Sequence, residues 1–263
     1  MLSRELCSVS PKGLERLQIT SCKNPNPSVL ERLDHLCLEY PLIKVDRDAK
    51  GPLLVVTRRG LTLRVGESKA RKDFRWHPGL LHTLRESGLN HPWVKLGEIS
   101  PGDLVLDCTL GLGTDATFLS EVTEREVIGL ELSLPIFLLA QEGLAKANAL
   151  VSPILCDSTT YLERITQSPH GPRFDILIAD PMFPSHLTQQ RHSLDVVRSF
   201  GDHRTLTPEW LRLAREATYR WVIIKDHRES CLLERLGEGL EPADLIWSKG
   251  KRSTRYGRWS GTA

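Results

Sequence analysis

The chain of 263 residues is long enough for one large domain or for a domain with an appendage. Its composition, 40% hydrophobic and 26% charged, is that of an ordinary globular protein, and no apolar run approaches the length needed to span a bilayer. The 35 basic and 33 acidic residues leave a net charge of +2, which neither demands nor excludes a nucleic-acid partner, so the distribution of charge matters more than its sum.

The opening stretch MLSRELCSVSPKGLERL lacks the apolar core of a secretory signal, and the expected location is cytoplasmic. Six scattered cysteines form no C-x-x-C pair and no His/Cys cluster, so free thiols are expected and no metal centre. Helical spacing of Val29, Leu30, Leu33, Leu36 and Cys37 predicts a helix near Pro27–Tyr40. Two strand-like runs follow, Leu53–Thr57 and Leu61–Val65, with Arg58-Arg59-Gly60 as a hairpin turn. Residues 1–65 thus read as a small N-terminal α+β appendage, and residues 66–79 as a basic joining segment.

From residue 80 to 263 the pattern changes to apolar strands alternating with helices. Strands are predicted at Leu104–Leu106, Val127–Leu130, Pro153–Cys156, Asp175–Ala179 and Trp221–Lys225. Helices are predicted near Thr114–Ser120, Leu134–Leu150, Ser158–Ile165 and Pro208–Thr218, the last capped by Thr207 with proline in the first turn. Fully apolar strands of this kind imply an α/β fold, a mostly parallel sheet covered on both faces. Two last runs, Ala243–Ser248 and Arg255–Ser260, would bring the sheet to seven strands as an antiparallel pair.

The stretch LVLDCTLGLGTDATFLS (104–120) is a strand, a glycine-bearing turn and a helix start. Gly111 and Gly113 let the backbone approach a ligand, and the helix behind them offers free amide hydrogens. Asp107 ends the first strand and Glu131 the second, where a carboxylate can hold ribose hydroxyls. Asp157 ends the third, with Ser158 beside it, and can accept from an adenine amine or cap the following helix. Three acid-tipped strands describe a nucleoside crevice, which suits either nicotinamide dinucleotide or S-adenosylmethionine. The second carries a sulfonium and an ammonium, and Asp107 at the turn suits those cations better than a pyrophosphate.

FDILIADPMFP (174–184) climbs like a core strand and stops on Asp180, Pro181, Met182 and Phe183. This turn resembles the D/N-P-P-F/Y/W turn of amino-methyltransferases. An exocyclic amine on a base is a weak nucleophile because its lone pair is delocalised into the ring. The Asp180 carboxylate and the Pro181 carbonyl could hold its two hydrogens and aim the lone pair. Pro181 stiffens the turn. Phe183 offers a stacking face, worth about 1–3 kcal/mol. Catalysis would be mostly positioning, which can supply roughly 7–11 kcal/mol. Asp180 could take the proton afterwards.

At this point the chain resembles the bacterial ribosomal small-subunit methyltransferase J family. The matching stretches are DCTLGLGTDA (107–116), LEL (130–132), DPMFP (180–184), RSF (198–200), VIIK (222–225) and KGKRSTRYGRW (249–259), with ARKDFRWHPG (70–79) similar to the basic stretch before that family's cofactor domain. The resemblance implies a class I, Rossmann-like methyltransferase domain. It also implies S-adenosylmethionine as cofactor and guanine N2 of small-subunit (16S) ribosomal RNA as target. It places Thr114, Asp115, Glu131, Leu132, Asp157, Ser158 and Asp180 on cofactor-binding positions. Thr114 stands where that family often has arginine, and residues before 62 diverge.

Candidate RNA contacts are Arg71, Lys72 and Arg75 in the joining segment, with Phe74 and Trp76 among them, and Lys251, Arg252 and Arg255 in the C-terminal hairpin, where Tyr256 and Trp259 are interleaved. The long stretch 185–204 adds Arg191 and Arg198. Lys225, at the end of the fifth strand, ranks below these. The expected partner is ribosomal RNA or the small subunit, with no membrane and no metal. Methylation of adenine N6 or another amine stands as an alternative. So, from another class, does a nicotinamide-dependent oxidoreductase.

Overall fold

The computed structural model describes residues 17–66, 72–79, 81–182, 196–201, 203–238, 242–248 and 253–263. Among the described residues, its N-terminal part is a five-stranded sheet with one helix: β1 (Leu17–Ser21), α1 (Pro27–Glu39), β2 (Leu42–Lys44), β3 (Leu53–Thr57), β4 (Gly60–Val65) and β5 (Lys72–Phe74). Asn26 caps α1 by accepting from the Val29 N–H, and Pro27 occupies the first turn. The sheet order is β2-β1-β3-β4-β5. β1 runs parallel to both neighbours, while β3, β4 and β5 pair antiparallel. The β3–β4 turn is tight, with Thr57 opposite Gly60, whose φ of +124° only glycine adopts readily.

The joining segment is therefore more than a linker. Lys72–Phe74 is the fifth strand of this sheet, and Phe74 is buried in its core. Three residues are too short a run to show period-two alternation, and their basic neighbours mask it.

The larger part begins with two short helices, α2 (Leu81–Ser87) and α3 (Pro92–Gly97). It continues through β6 (Val105–Asp107), α4 (Thr114–Thr123), β7 (Val127–Glu131), α5 (Leu134–Lys146), β8 (Val151–Leu155), α6 (Ser158–Gln167), β9 (Phe174–Ala179), α7 (Pro208–Glu216), β10 (Thr218–His227), α8 (Leu232–Gly237), β11 (Leu245–Ser248) and β12 (Thr254–Ser260). These strands form a seven-stranded sheet in the order β11-β12-β10-β9-β6-β7-β8. From β10 to β8 the pairing is parallel, and β12 runs antiparallel to both β10 and β11. The chain moves outward from β6 to β8 and then returns to β9 on the other side of β6. The crevice at this reversal, beyond the carboxyl ends of β6 and β9, is where open α/β sheets bind ligands.

Alternation along the strands divides the core. Leu106, Leu177, Val222 and Ile224 pack beneath α6, α7 and α8. Val105, Ile176, Ile178 and Ile223 pack against α2, α3 and α4 on the other face. A third cluster joins the two sheets: Leu54, Val56, Leu61 and Leu63, on one face of the N-terminal sheet, meet both α1 and the apolar face of α5. α5 lies between β4 of this sheet and β7 and β8 of the large one, which explains why LPIFLLA in α5 is buried all round. Glu142 on the same helix accepts from the Leu61 N–H at 2.9 Å and pairs with Arg32 and Lys146. α5 ends at Lys146, earlier than the apolar run suggests, because Asn148 turns into the left-handed region.

No helix among the described residues is long and apolar enough to cross a membrane. Cys22, Cys37, Cys108, Cys156 and Cys231 are free thiols.

Candidate active site

Two strand tips meet at the reversal. β6 ends on Asp107, 3% exposed, and β9 delivers the chain to Asp180. Thr109 bridges them. Its N–H donates to Asp107 Oδ1 at 2.9 Å, and its Oγ1 accepts the Asp180 N–H at 2.6 Å. The glycine loop follows, with φ of +55° at Gly111 and +79° at Gly113. Gly111 N–H donates to Glu131 Oε2 at 3.0 Å, and Ser133 N–H donates to Oε1 of the same carboxylate at 2.7 Å. Glu131 at the tip of β7 therefore ties the loop of β6 to the start of α5.

β10 supplies the fourth element. Its parallel register sets Ile224 opposite Ala179, and this brings Lys225 beside Asp180. Lys225 Nζ donates to Asp180 Oδ2 at 2.5 Å, with the two side chains 26% and 28% exposed. Burial lifts the Asp180 carboxyl above its ordinary range, against the pull of Lys225. Burial works against charge on Lys225, but Asp180 and Asp115 outweigh it and raise the ammonium above the usual lysine range. Asp107 pairs with no cation among the described residues. Burial, opposed by the Thr109 N–H and reinforced by Asp115, Asp180 and Glu131, pushes its carboxyl up to about 8.

Aromatic groups wall the Lys225 side. Tyr256 lies opposite Lys225 on β12, and its ring meets Trp93 at 5.0 Å and Trp247 at 5.8 Å. Burial pushes the Tyr256 hydroxyl up to about 12, opposed by the Lys225 charge. His91 caps α3 by accepting from the Trp93 N–H. Burial first and the Lys225 charge second push it down to about 4, so it is neutral at pH 7. Sequence reasoning missed Thr109 and His91 and ranked Lys225 low. Only the register of neighbouring strands and the placement of α3 reveal their role.

The remaining expected residues fall as follows. Thr114 and Asp115 open α4, both half-buried, and Leu132 is half-buried after Glu131. Asp157 caps α6 through Oδ1, which accepts from the Thr160 N–H at 3.0 Å, and its Oδ2 meets Arg204 at 2.5 Å. Ser158 Oγ accepts from Trp210 Nε1 at 3.0 Å. Pro181 is buried, and Met182 packs where a Cβ on Gly201 would stand, 2.4 Å from its Cε. The Phe200 carbonyl accepts from Ser133 Oγ at 2.7 Å, so the RSFG stretch is pinned between the DPM turn and α5. Phe183, Arg71, Arg191, Lys251 and Arg252 lie outside the described residues.

The C-terminal hairpin requires a correction. Arg255 is buried and held by Asp226, at 3.0 Å from Nε and 2.7 Å from Nη2, with Glu234 beyond. Asp226 is fully buried, so Arg255 neutralises a core carboxylate and is not available to a phosphate. Trp259 and Tyr256 are likewise core residues and no platform for bases. In the joining segment, Trp76 is half-buried, fills the dent above Gly143 and donates to the Leu112 carbonyl at 2.9 Å. It braces the cofactor loop. Lys72 and Arg75 are exposed, and Arg198 is half-buried.

No family model matches the chain. Among curated proteins it is similar to the uncharacterized protein YpiP of Bacillus subtilis (strain 168), 27% identical over 216 residues that cover 76% of this chain and 79% of that one. Among solved structures it is similar to the SAM-dependent methyltransferase NGO1261 from Neisseria gonorrhoeae, with a TM-score of 0.66, 18% identity, and coverage of 92% of this chain and 95% of that one. The chain has the class I methyltransferase fold. Coverage this wide takes in much of the N-terminal sheet as well as the seven-stranded one. TrmN from Thermus thermophilus is more distant, with a TM-score of 0.47, 16% identity, and coverage of 93% of this chain and 71% of that one.

Proposed function

We propose that the protein is an S-adenosylmethionine-dependent methyltransferase acting on an exocyclic base amine of RNA, with guanine N2 of small-subunit ribosomal RNA the leading target. The observation that carries the reading is the join of Asp107, Thr109, Asp180 and Lys225 at the sheet reversal.

The donor set fits the cofactor. Asp115 and Asp180 place carboxylates at the glycine loop beside one lysine, and Asp107, which burial lifts to about 8, would be drawn to its ionised form by a ligand bearing a sulfonium and an ammonium. A dinucleotide would bring a pyrophosphate into the same carboxylates, which weakens the nicotinamide reading. Glu131 would hold the ribose hydroxyls, and Asp157 and Ser158 would border the adenine. When bound, S-adenosylmethionine supplies an electrophilic methyl group.

The chain's own residues hold and deprotonate the amine. Lys225 occupies Asp180 Oδ2 and leaves Oδ1 to accept one amine hydrogen. The Pro181 carbonyl accepts the other. Both bonds fix the nitrogen lone pair, and the rigid turn keeps them aligned. After transfer, the proton on the methylated nitrogen passes to Asp180 Oδ1. The partly exposed carboxyl then releases it to water, while Lys225 keeps its charge throughout.

Guanine N2 is favoured by the resemblance of DPMFP and the flanking stretches to the small-subunit methyltransferase J family. The turn itself selects an amino group, so adenine N6 is the competing base. Tritiated methyl transfer to RNA from cells lacking this gene, followed by nucleoside mapping, tests both. Label in N2-methylguanosine supports the leading target, label in N6-methyladenosine moves the reading to the competitor, and no label in RNA refutes it.

A further inference from the structure

The N-terminal sheet has two faces of opposite character. Ile19, Leu54, Val56, Leu61, Leu63 and Phe74 point to α1 and α5 and form a shared core. Period-two alternation turns the intervening residues to the other face, where Val55 stands opposite Thr62 and Arg64 opposite Asp73, with Thr57 and Arg75 on the same face. Two adjoining depressions of about 350 and 250 Å³ open at that face and at the β3–β4 turn, sharing Lys23, Thr57 and Arg75 in their walls. Arg58 and Arg59 complete one and Arg47 the other.

We propose that this depression is a phosphate-binding groove for the RNA backbone, formed by Lys23, Arg47, Arg58, Arg59 and Arg75. The inference rests on the RNA reading above and extends it to a surface outside the methyltransferase domain. Charge carries it first. Asp73 is the only acid in these walls among the described residues, and Arg64 holds it at 2.9 Å. None of the five cations pairs with a carboxylate among the described residues. A chain with a net charge of only +2 has concentrated unpaired cations in one concavity.

Preorganisation carries it second. Arg75 Nε donates to Thr62 Oγ1 and Arg58 Nη2 to the Asn24 carbonyl, both at 3.1 Å. Each guanidinium is thereby fixed and keeps further donors for phosphate oxygens. Location carries it third. Arg75 precedes Trp76, whose indole is bonded to the glycine loop at Leu112, so the groove is anchored to the cofactor site through one residue. Backbone contacts here would set the register of a folded RNA and leave base selection to the DPM turn.

The test uses full-length Lys23→Glu/Arg58→Glu, with Arg58→Lys as the charge-conserving variant. Anisotropy with a structured small-subunit RNA fragment is measured across a salt series. Titration with S-adenosylhomocysteine checks that each variant is folded with an intact cofactor site. The double reversal is expected to weaken RNA binding by about tenfold or more, and to lower the slope of log affinity against log salt by about 0.7–0.9 for each phosphate no longer neutralised. Arg58→Lys is expected to keep the wild-type salt slope and to lose much less affinity than the double reversal. Wild-type affinity and slope in the double reversal would overturn the groove, and would leave the methyltransferase reading intact if the wild type still methylates RNA. Equal losses in Arg58→Lys and the reversal would also overturn it, because shape and not charge would then matter. A wild type that binds anionic vesicles or acidic peptide and not RNA would remove the groove and the RNA reading together.

Discussion

Lys225 Nζ lies 2.5 Å from Asp180 Oδ2, across the tips of two adjacent parallel strands. One carboxylate oxygen is thus committed inside the protein while the other is left to the crevice. Asp180→Asn should lower methyl transfer by about 100-fold or more while S-adenosylhomocysteine binding persists. In Lys225→Met the pull that lowers the Asp180 carboxyl is lost. The rise of activity with pH should therefore move to higher pH, and Lys225→Arg should restore part of it. A pH–rate profile unchanged from wild type in Lys225→Met would show that the lysine does not set the state of Asp180.

Asp107 titrates near 8 in the fold, above its ordinary value of 3.8. The folded state then holds a proton that the unfolded chain has already lost. Stability should fall as pH rises from about 4 to about 8 and level off above that. Asp107→Asn carries no titrating group at this position, so the difference between variant and wild type should grow over the same window. Denaturant midpoints at several pH values measure it.

Arg255 neutralises Asp226, which has no exposure to water. Arg255→Ala should destabilise the protein by about 3–5 kcal/mol, since it strands a buried carboxylate. Joint replacement of Arg255 and Asp226 by apolar residues should recover much of that loss. Equilibrium unfolding of the single and double variants checks both statements.

Trp76 couples the N-terminal segment to the glycine loop. Trp76→Ala should cost on the order of 2 kcal/mol, less than the ~3–5 of a fully buried ring, because the indole is only half-buried. It should also weaken S-adenosylhomocysteine binding, since the Leu112 carbonyl loses its anchor. Calorimetric titration separates this from simple loss of stability.

The central strands β6, β7 and β9 are legible because each is a largely apolar run that leads to a conspicuous carboxylate. Asp107, Glu131 and Asp180 stand out for that reason, and glycines follow the first of them. β1, β2 and β5 are short and sit in mixed polar surroundings, so no periodicity marks them. Lys225 and Thr109 belong to the site through cross-strand register and a two-residue loop contact, relations that linear spacing does not display. The basic residues of the C-terminal hairpin misled in the opposite direction. Arg255 looks like an exposed cation until Asp226 is seen on the neighbouring strand, and Trp259 looks like a stacking platform until it is found in the core. Composition reports charge along the chain, and pairing across the fold decides whether that charge faces water.

A cationic methyl donor and a base amine are held to meet at the tip of β9, and everything proposed for the site depends on that meeting. Single-turnover transfer of labelled methyl from S-adenosylmethionine to ribosomal RNA, compared between wild type and Asp180→Asn, tests it most directly. Label in RNA is expected with the wild type and a loss of about 100-fold or more in the variant, with cofactor binding unchanged. Equal transfer by the two proteins would contradict it, as would cofactor binding without transfer to RNA by the wild type.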